Sequence, residues 1–114
     1  KKKLMKFLTT KSFKAQEYQA KLILSHLKKS PYRYIITGDF NNTAHSYVYR
    51  LLKSNLLDSF EVAGNGLGST FSFKYYPLRI DFILLESTFQ VFNHINYRID
   101  YSDHYPISCS FKIQ

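Results

Sequence analysis

A chain of 114 residues, 45% of them hydrophobic, has the length of one domain with a real core and leaves no room for a second. Its single cysteine, Cys109, excludes an internal disulfide, and no apolar stretch approaches the roughly 20 residues of a membrane span or follows Lys1-Lys2-Lys3 as a signal-peptide core. The formal charge of +8 is uneven, because residues 1–30 hold nine Lys against Glu17 while the rest hold seven basic and seven acidic residues.

Residues 1–12 form a basic lead-in. Such a segment attracts phosphate-rich polymers or an anionic membrane surface at long range, and the plainer alternative is a solvated helix whose lysines keep one end soluble. The start lacks an initiator Met, as expected of a piece of a longer protein. Over residues 12–29, Phe13, Ala20, Ile23, Leu24 and Leu27 recur at helical spacing with lysines opposite, which predicts an amphipathic helix ended by Ser30-Pro31.

Residues 33–37 read as a short apolar strand ending at Gly38. Ala44, Tyr47, Val48, Leu51 and Leu52 then predict a second helix, with Thr43 or Asn42 as its N-cap. Gly64-Asn65-Gly66-Leu67-Gly68 is a flexible connector; it lacks the following Lys and helix of a phosphate-cradling loop. Beyond it the period changes to two, and the 10 Tyr and 10 Phe of the chain favour strands. Phe71, Phe73 and Tyr75 share one strand face. Ile80, Phe82 and Leu84 share a face of the next strand, whose other face carries Ile83 and Leu85, so it is expected to be buried on both sides.

Two half-buried strands follow. In the first, Phe89, Val91, Ile95, Tyr97 and Ile99 alternate with Gln90, His94, Asn96 and Arg98; in the second, Ile107, Cys109, Phe111 and Ile113 alternate with Ser108, Ser110 and Lys112. The expected fold is α/β, one mixed, mostly antiparallel sheet of about five strands with two helices on one face.

Three polar signatures edge these strands: Gly38-Asp39-Phe40-Asn41, Arg79-Ile80-Asp81-Phe82 and Ser102-Asp103-His104-Tyr105-Pro106. Asp39 and Asn41 put an acceptor and an amide at a strand's carboxyl end, where open α/β sheets bind ligands, although turn and capping roles account for the same residues. Asp81 lies inside an apolar run and needs a partner, because an unpaired buried carboxylate costs several kcal/mol. Arg79 is the structural candidate and His104 the functional one. Asp103 and His104 sit in a loop held by a rigid strand, a place suited both to function and to an ordinary turn. His26, His45 and His94 have no companion at ligand spacing, and Cys109 reads as a small buried residue. The oxygen-rich set favours Mg²⁺ or Mn²⁺ over zinc, and hydrolysis of a phosphate ester as the reaction.

In this order and spacing the three signatures resemble the C-terminal half of the endonuclease/exonuclease/phosphatase superfamily, from about Phe13 to the end. The resemblance implies half of a four-layered α/β sandwich over residues 13–114. It implies that Asp39 positions or deprotonates the attacking water and helps to hold the metal, that Asn41 contacts phosphate or water, that Asp103 binds metal, and that His104, held by Asp81, stabilises the pentavalent phosphate. Nothing before Asp39 resembles the Asn and the metal-binding Glu that such proteins carry in their N-terminal half; Glu17 lacks the strand context of that ligand. The expectations that follow are a phosphodiesterase, nuclease or phosphatase parent, acting on nucleic acid, a phospholipid headgroup or another phosphate ester. The fragment alone would be weak or inactive and would hold Mg²⁺ or Mn²⁺ weakly. A bare sheet face would accept the missing N-terminal half or a second copy of the chain. The competing expectations are a basic module that binds nucleic acid or anionic lipid with a vestigial site, and a purely structural half-domain.

Overall fold

The structure, a computed structural model, describes residues 2–73 and 76–113, the side chains of residues 2–12 excepted. The side chains of the lead-in lysines, and Tyr75 of the aromatic run, lie outside what the structure describes.

Helix α1 (Lys2–Lys28) starts well before the residue at which its amphipathic pattern becomes readable. Ala20 is its buried anchor, with Leu24 packed beside it. The helix unwinds through the Lys29 N–H to His26 O and Ser30 N–H to Leu27 O bonds, just before Pro31, which disfavours helical geometry in the residue ahead of it.

Strand β1 (Ile35–Asp39) pairs antiparallel with β3 (Asp81–Leu85), and a two-residue strand β2 (Leu57–Asp58) pairs with the other side of β3, giving the order β1-β3-β2. β3 is buried on both faces, as its unbroken apolar run predicts. Phe82 and Leu84 pack under α1 and helix α2 (Tyr47–Lys53) with Ala20, Val48, Tyr49, Leu52 and Leu56. On the opposite face Leu85 and Ile83 meet Phe89, Val91 and Cys109. Those residues belong to an antiparallel hairpin, β4 (Phe89–Asn96) and β5 (Ile107–Ile113).

The α/β half-sandwich therefore stands, with its five strands divided into a three-stranded and a two-stranded sheet instead of one continuous sheet. The hairpin folds over the Ile83 and Leu85 face, which burial of those side chains requires, so that face is covered and not bare.

Four local expectations are corrected. Among the described residues, Phe71 makes isolated bridges to Leu78 and His104 in place of the expected strand face of Phe71 and Phe73, and Tyr75 of that face lies outside them. The N-cap of α2 is Ser46, whose hydroxyl accepts from the Tyr49 N–H at 3.0 Å. Asn42 is engaged elsewhere, donating to Gln16 Oε1 and Phe40 O, and Thr43 O closes a turn with the Ser46 N–H. A third helix, α3 (Ser59–Ala63), was not anticipated; Asp58 caps it by accepting from the Phe60 N–H at 3.0 Å. Finally, a bulge between Val91 and Asn93 reverses the alternation of β4, so His94 points into the core and Ile95 outward. No helix among the described residues is long and apolar enough to cross a membrane.

Candidate active site

The register of β1 on β3 sets Asp39 opposite Asp81, which joins two of the three polar signatures at one sheet edge. The third arrives through residues 102–106. Its loop is tied down by Ser72 N–H to Asp103 O and by Tyr105 N–H to Thr70 O, both 2.7 Å.

Thr70 organises this corner and escaped the sequence reading. It is 1% exposed, and its hydroxyl oxygen accepts from the Ile80 N–H at 3.0 Å and the Asp81 N–H at 3.1 Å. One side chain thus fixes the entrance of β3, while its carbonyl fixes the residue after His104. The only sequence signal was a β-branched hydroxyl residue just past the glycine-rich connector.

Asp81 finds its partner in His104, Oδ2 lying 2.9 Å from Nδ1. The other ring nitrogen, Nε2, is 3.6 Å from Asp39 Oδ2. One ligand-capable atom from each of Asp39, Asp81 and His104 lies within 4.8 Å of the others. The hydrogen bond that Asp81 accepts from the ring holds the His104 pKa above its ordinary value, against some desolvation, and the charges of Asp81, Asp39 and Asp103 act in the same direction. The imidazolium is thereby favoured, and the Phe71 ring packs against it edge-to-face, with centroids 5.0 Å apart.

Asp39 Oδ1 accepts the Asn41 N–H at 2.8 Å, with Asn41 at φ +51°, a left-handed conformation that Asn tolerates better than most residues. The turn expectation for this pair is therefore met. Asn41 lines the groove between β1 and α1, next to the cleft that holds the trio. Asp103 is exposed and lies outside the trio; its carboxylate accepts from the Ser102 hydroxyl at 3.3 Å, and it reaches the site by its charge on His104.

Arg79 is not the partner of Asp81. It pairs with Asp58 at 2.7 Å, its guanidinium held over the rings of Phe60 at 4.6 Å and Phe82 at 4.8 Å. Asp58, 1% exposed, has the greater need of a cation, and the Tyr49 hydroxyl donates to it as well at 2.6 Å. Burial, with Asp58 beside it, pushes the Tyr49 hydroxyl far above its usual pKa, so it remains a donor. His94 is structural: its Nδ1 is 2.7 Å from Ser59 Oγ inside the core.

Asp39, Asp81 and His104 line a cleft of about 390 Å³, with Tyr105, Pro106 and Ile107 completing its wall. Its donors suit a hard cation at the carboxylate side, but so small a group falls well short of the roughly six oxygens that Mg²⁺ takes. Chemically, the cleft combines a carboxylate near solvent with an imidazole held by a second carboxylate, parts able to orient a water and to stabilise a phosphoryl group.

A sequence profile described as the endonuclease/exonuclease/phosphatase family matches residues 13–104. Among solved structures, an endonuclease/exonuclease/phosphatase family protein from Bacteroides thetaiotaomicron is 26% identical, with a TM-score of 0.75 over 86% of this chain and 45% of that one. A family protein from Bacteroides vulgatus is also 26% identical, with a TM-score of 0.76 over 89% and 45% of the two chains. A mannosyl-6-phosphatase from Bacteroides thetaiotaomicron VPI-5482 is 26% identical, with a TM-score of 0.72 over 88% and 46%. The chain therefore spans less than half the length of these relatives. No match was found among curated proteins.

Proposed function

The chain belongs to the endonuclease/exonuclease/phosphatase family, and from that premise we propose that it is the C-terminal part, residues 13–114 with a basic lead-in, of a divalent-metal-dependent phosphoesterase. The observation that carries this reading is the continuous Asp81–His104–Asp39 arrangement, with His104 bonded on one nitrogen and facing a carboxylate on the other.

In this reading Asp81 fixes the His104 tautomer and supports its positive charge, and His104 binds the phosphoryl oxygens as charge builds on them. Asp39 takes the proton of the attacking water as the new P–O bond forms, and the bond to the leaving oxygen breaks, releasing the alcohol after protonation. Asn41 contacts the phosphate or the water. Mg²⁺ or Mn²⁺, held by Asp103 and Asp39, would polarise a phosphoryl oxygen as a Lewis acid. The remaining ligands come from the part of the parent that this chain does not contain. Similarity to a mannosyl-6-phosphatase favours a phosphatase over a nuclease.

The test is hydrolysis of p-nitrophenyl phosphate and bis-p-nitrophenyl phosphate by the 114-residue chain with Mg²⁺ or Mn²⁺, beside His104→Ala and Asp39→Ala. Slow, cation-dependent turnover lost in both variants is expected. Turnover equal in all three proteins would overturn the assignment.

A further inference from the structure

Helix α1 carries a charge that its own stability does not call for. Seven of its residues are lysines against Glu17 alone, and Lys29 follows directly. No acid stands in its first turn, where Lys2 and Lys3 oppose the helix dipole. Among the described residues Lys21 pairs with Glu17 at 2.9 Å, while Lys14, Lys28 and Lys29 form no ion pair and are exposed.

The charge follows one side of the helix. Lys14, Lys21 and Lys28 recur at a heptad interval, so each stands about 20° around the axis from the one before and about 10 Å further along it. Tyr18 and Leu22, one turn apart, occupy the adjoining strip. At about 100° per residue that strip lies roughly opposite Ala20, the buried anchor of α1. Tyr18 is 66% and Leu22 53% exposed, and Lys29 continues their strip toward the end of the helix.

We propose that this outward face of α1 seats on an anionic lipid surface, with the helix lying in the plane of the interface. The inference goes beyond phosphoester hydrolysis and stands whether or not the cleft is active. Lysines attract acidic headgroups and keep their charged ends in water while their stems lie along the acyl boundary. Tyr18 and Leu22 add a phenol suited to the headgroup level and an aliphatic side chain that gains by leaving water. A nucleic acid would use the lysines and the Tyr18 ring, but an exposed Leu22 in the middle of the face gives it nothing. Ala20 and Leu24 remain packed in the core on the other side, so seating requires no unfolding. The helix is not long and apolar enough to cross a membrane, and it lies on the surface without spanning it.

The experiment is sedimentation of the 114-residue chain with vesicles of phosphatidylcholine alone or mixed in equal parts with phosphatidylglycerol, beside a titration with double-stranded DNA. Binding to the mixed vesicles, little to the neutral ones, and release by added salt are expected. Lys14→Gln, Lys28→Gln and Lys29→Gln should each weaken that binding roughly fivefold, and the corresponding Lys→Arg substitutions should preserve it. Tyr18→Ser combined with Leu22→Ser should weaken it about tenfold with all lysines in place. The chain contains no Trp, so Tyr18→Trp supplies a single emission that should shift to the blue on the mixed vesicles. Vesicle and DNA binding together, with the Tyr18 and Leu22 double substitution weakening only the vesicles, would support the proposal. Equal binding to both kinds of vesicle, no blue shift, or indifference to the double substitution would overturn it. DNA binding without vesicle binding would give the face to nucleic acid and overturn it as well, and binding to neither would reduce α1 to a solvated helix.

Discussion

At the scale of single residues, the site depends on which partner each charge finds. Asp81 and Asp58 competed for one arginine, and the more deeply buried carboxylate obtained it, leaving Asp81 to His104. The consequence is measurable in the imidazole. Its pKa is raised in the folded chain mainly by the Asp81 hydrogen bond, so the stabilisation from His104 is complete below its unfolded pKa of about 6.5 and is lost as pH rises through the higher folded value. Asp81→Asn should bring the His104 titration, followed by proton NMR of the ring, down toward the ordinary value; an unchanged midpoint would remove Asp81 as its cause. Thr70 supports the same pair through the backbone. Thr70→Val leaves one buried and one part-buried N–H without their acceptor and should cost about 1–3 kcal/mol in urea denaturation, a loss that Thr70→Ser should largely restore. The trio itself was legible in the sequence because carboxylates at strand edges stand out against apolar runs. Thr70 was not, since a buried hydroxyl serving main-chain donors resembles any other strand residue.

At the scale of elements, periodicity located both long helices and every strand of more than two residues, and failed where one residue alters the count. The bulge in β4 is such a place: strict alternation puts Ile95 inside, yet it is 39% exposed while His94 is 7% exposed. Burial lowers the His94 pKa below its usual value. For a histidine depressed in this way, the stability is present above the unfolded pKa of about 6.5 and is lost as pH falls through the lower folded value, the opposite sense to His104. The His94 contribution to the denaturation midpoint should therefore fall on acidification, and in His94→Gln the midpoint should drop less steeply with acid than in the unaltered chain. Helix α3 was missed although Asp58 and Glu61 stand in capping-box spacing, because five residues are too few to show a period. In α2 the apolar spacing was read correctly and the cap was not. Removing the Ser46 hydroxyl by Ser46→Ala should cost about 1 kcal/mol, whereas Thr43→Ala should cost much less.

At the scale of the whole molecule, the fold explains why the site is open. β1 and β3 deliver Asp39 and Asp81 to one rim, and the loop before β5 brings His104 over them, so the proposed site lies at the edge of the sheet. Solved structures of similar fold are about twice as long, and a six-coordinate cation would not be satisfied by the carboxylates of this side alone. With Mg²⁺ bound here, water would fill the remaining positions, and each water in place of a carboxylate would forgo charge neutralisation that holds the ion. Calorimetric titration of the chain with Mg²⁺ should accordingly give only weak, millimolar-range binding, weakened further by Asp39→Asn. Micromolar binding would mean that these residues, or a second copy of the chain, complete the coordination without the rest of the parent. Micromolar affinity unaffected by Asp39→Asn would instead move the cation away from this cleft.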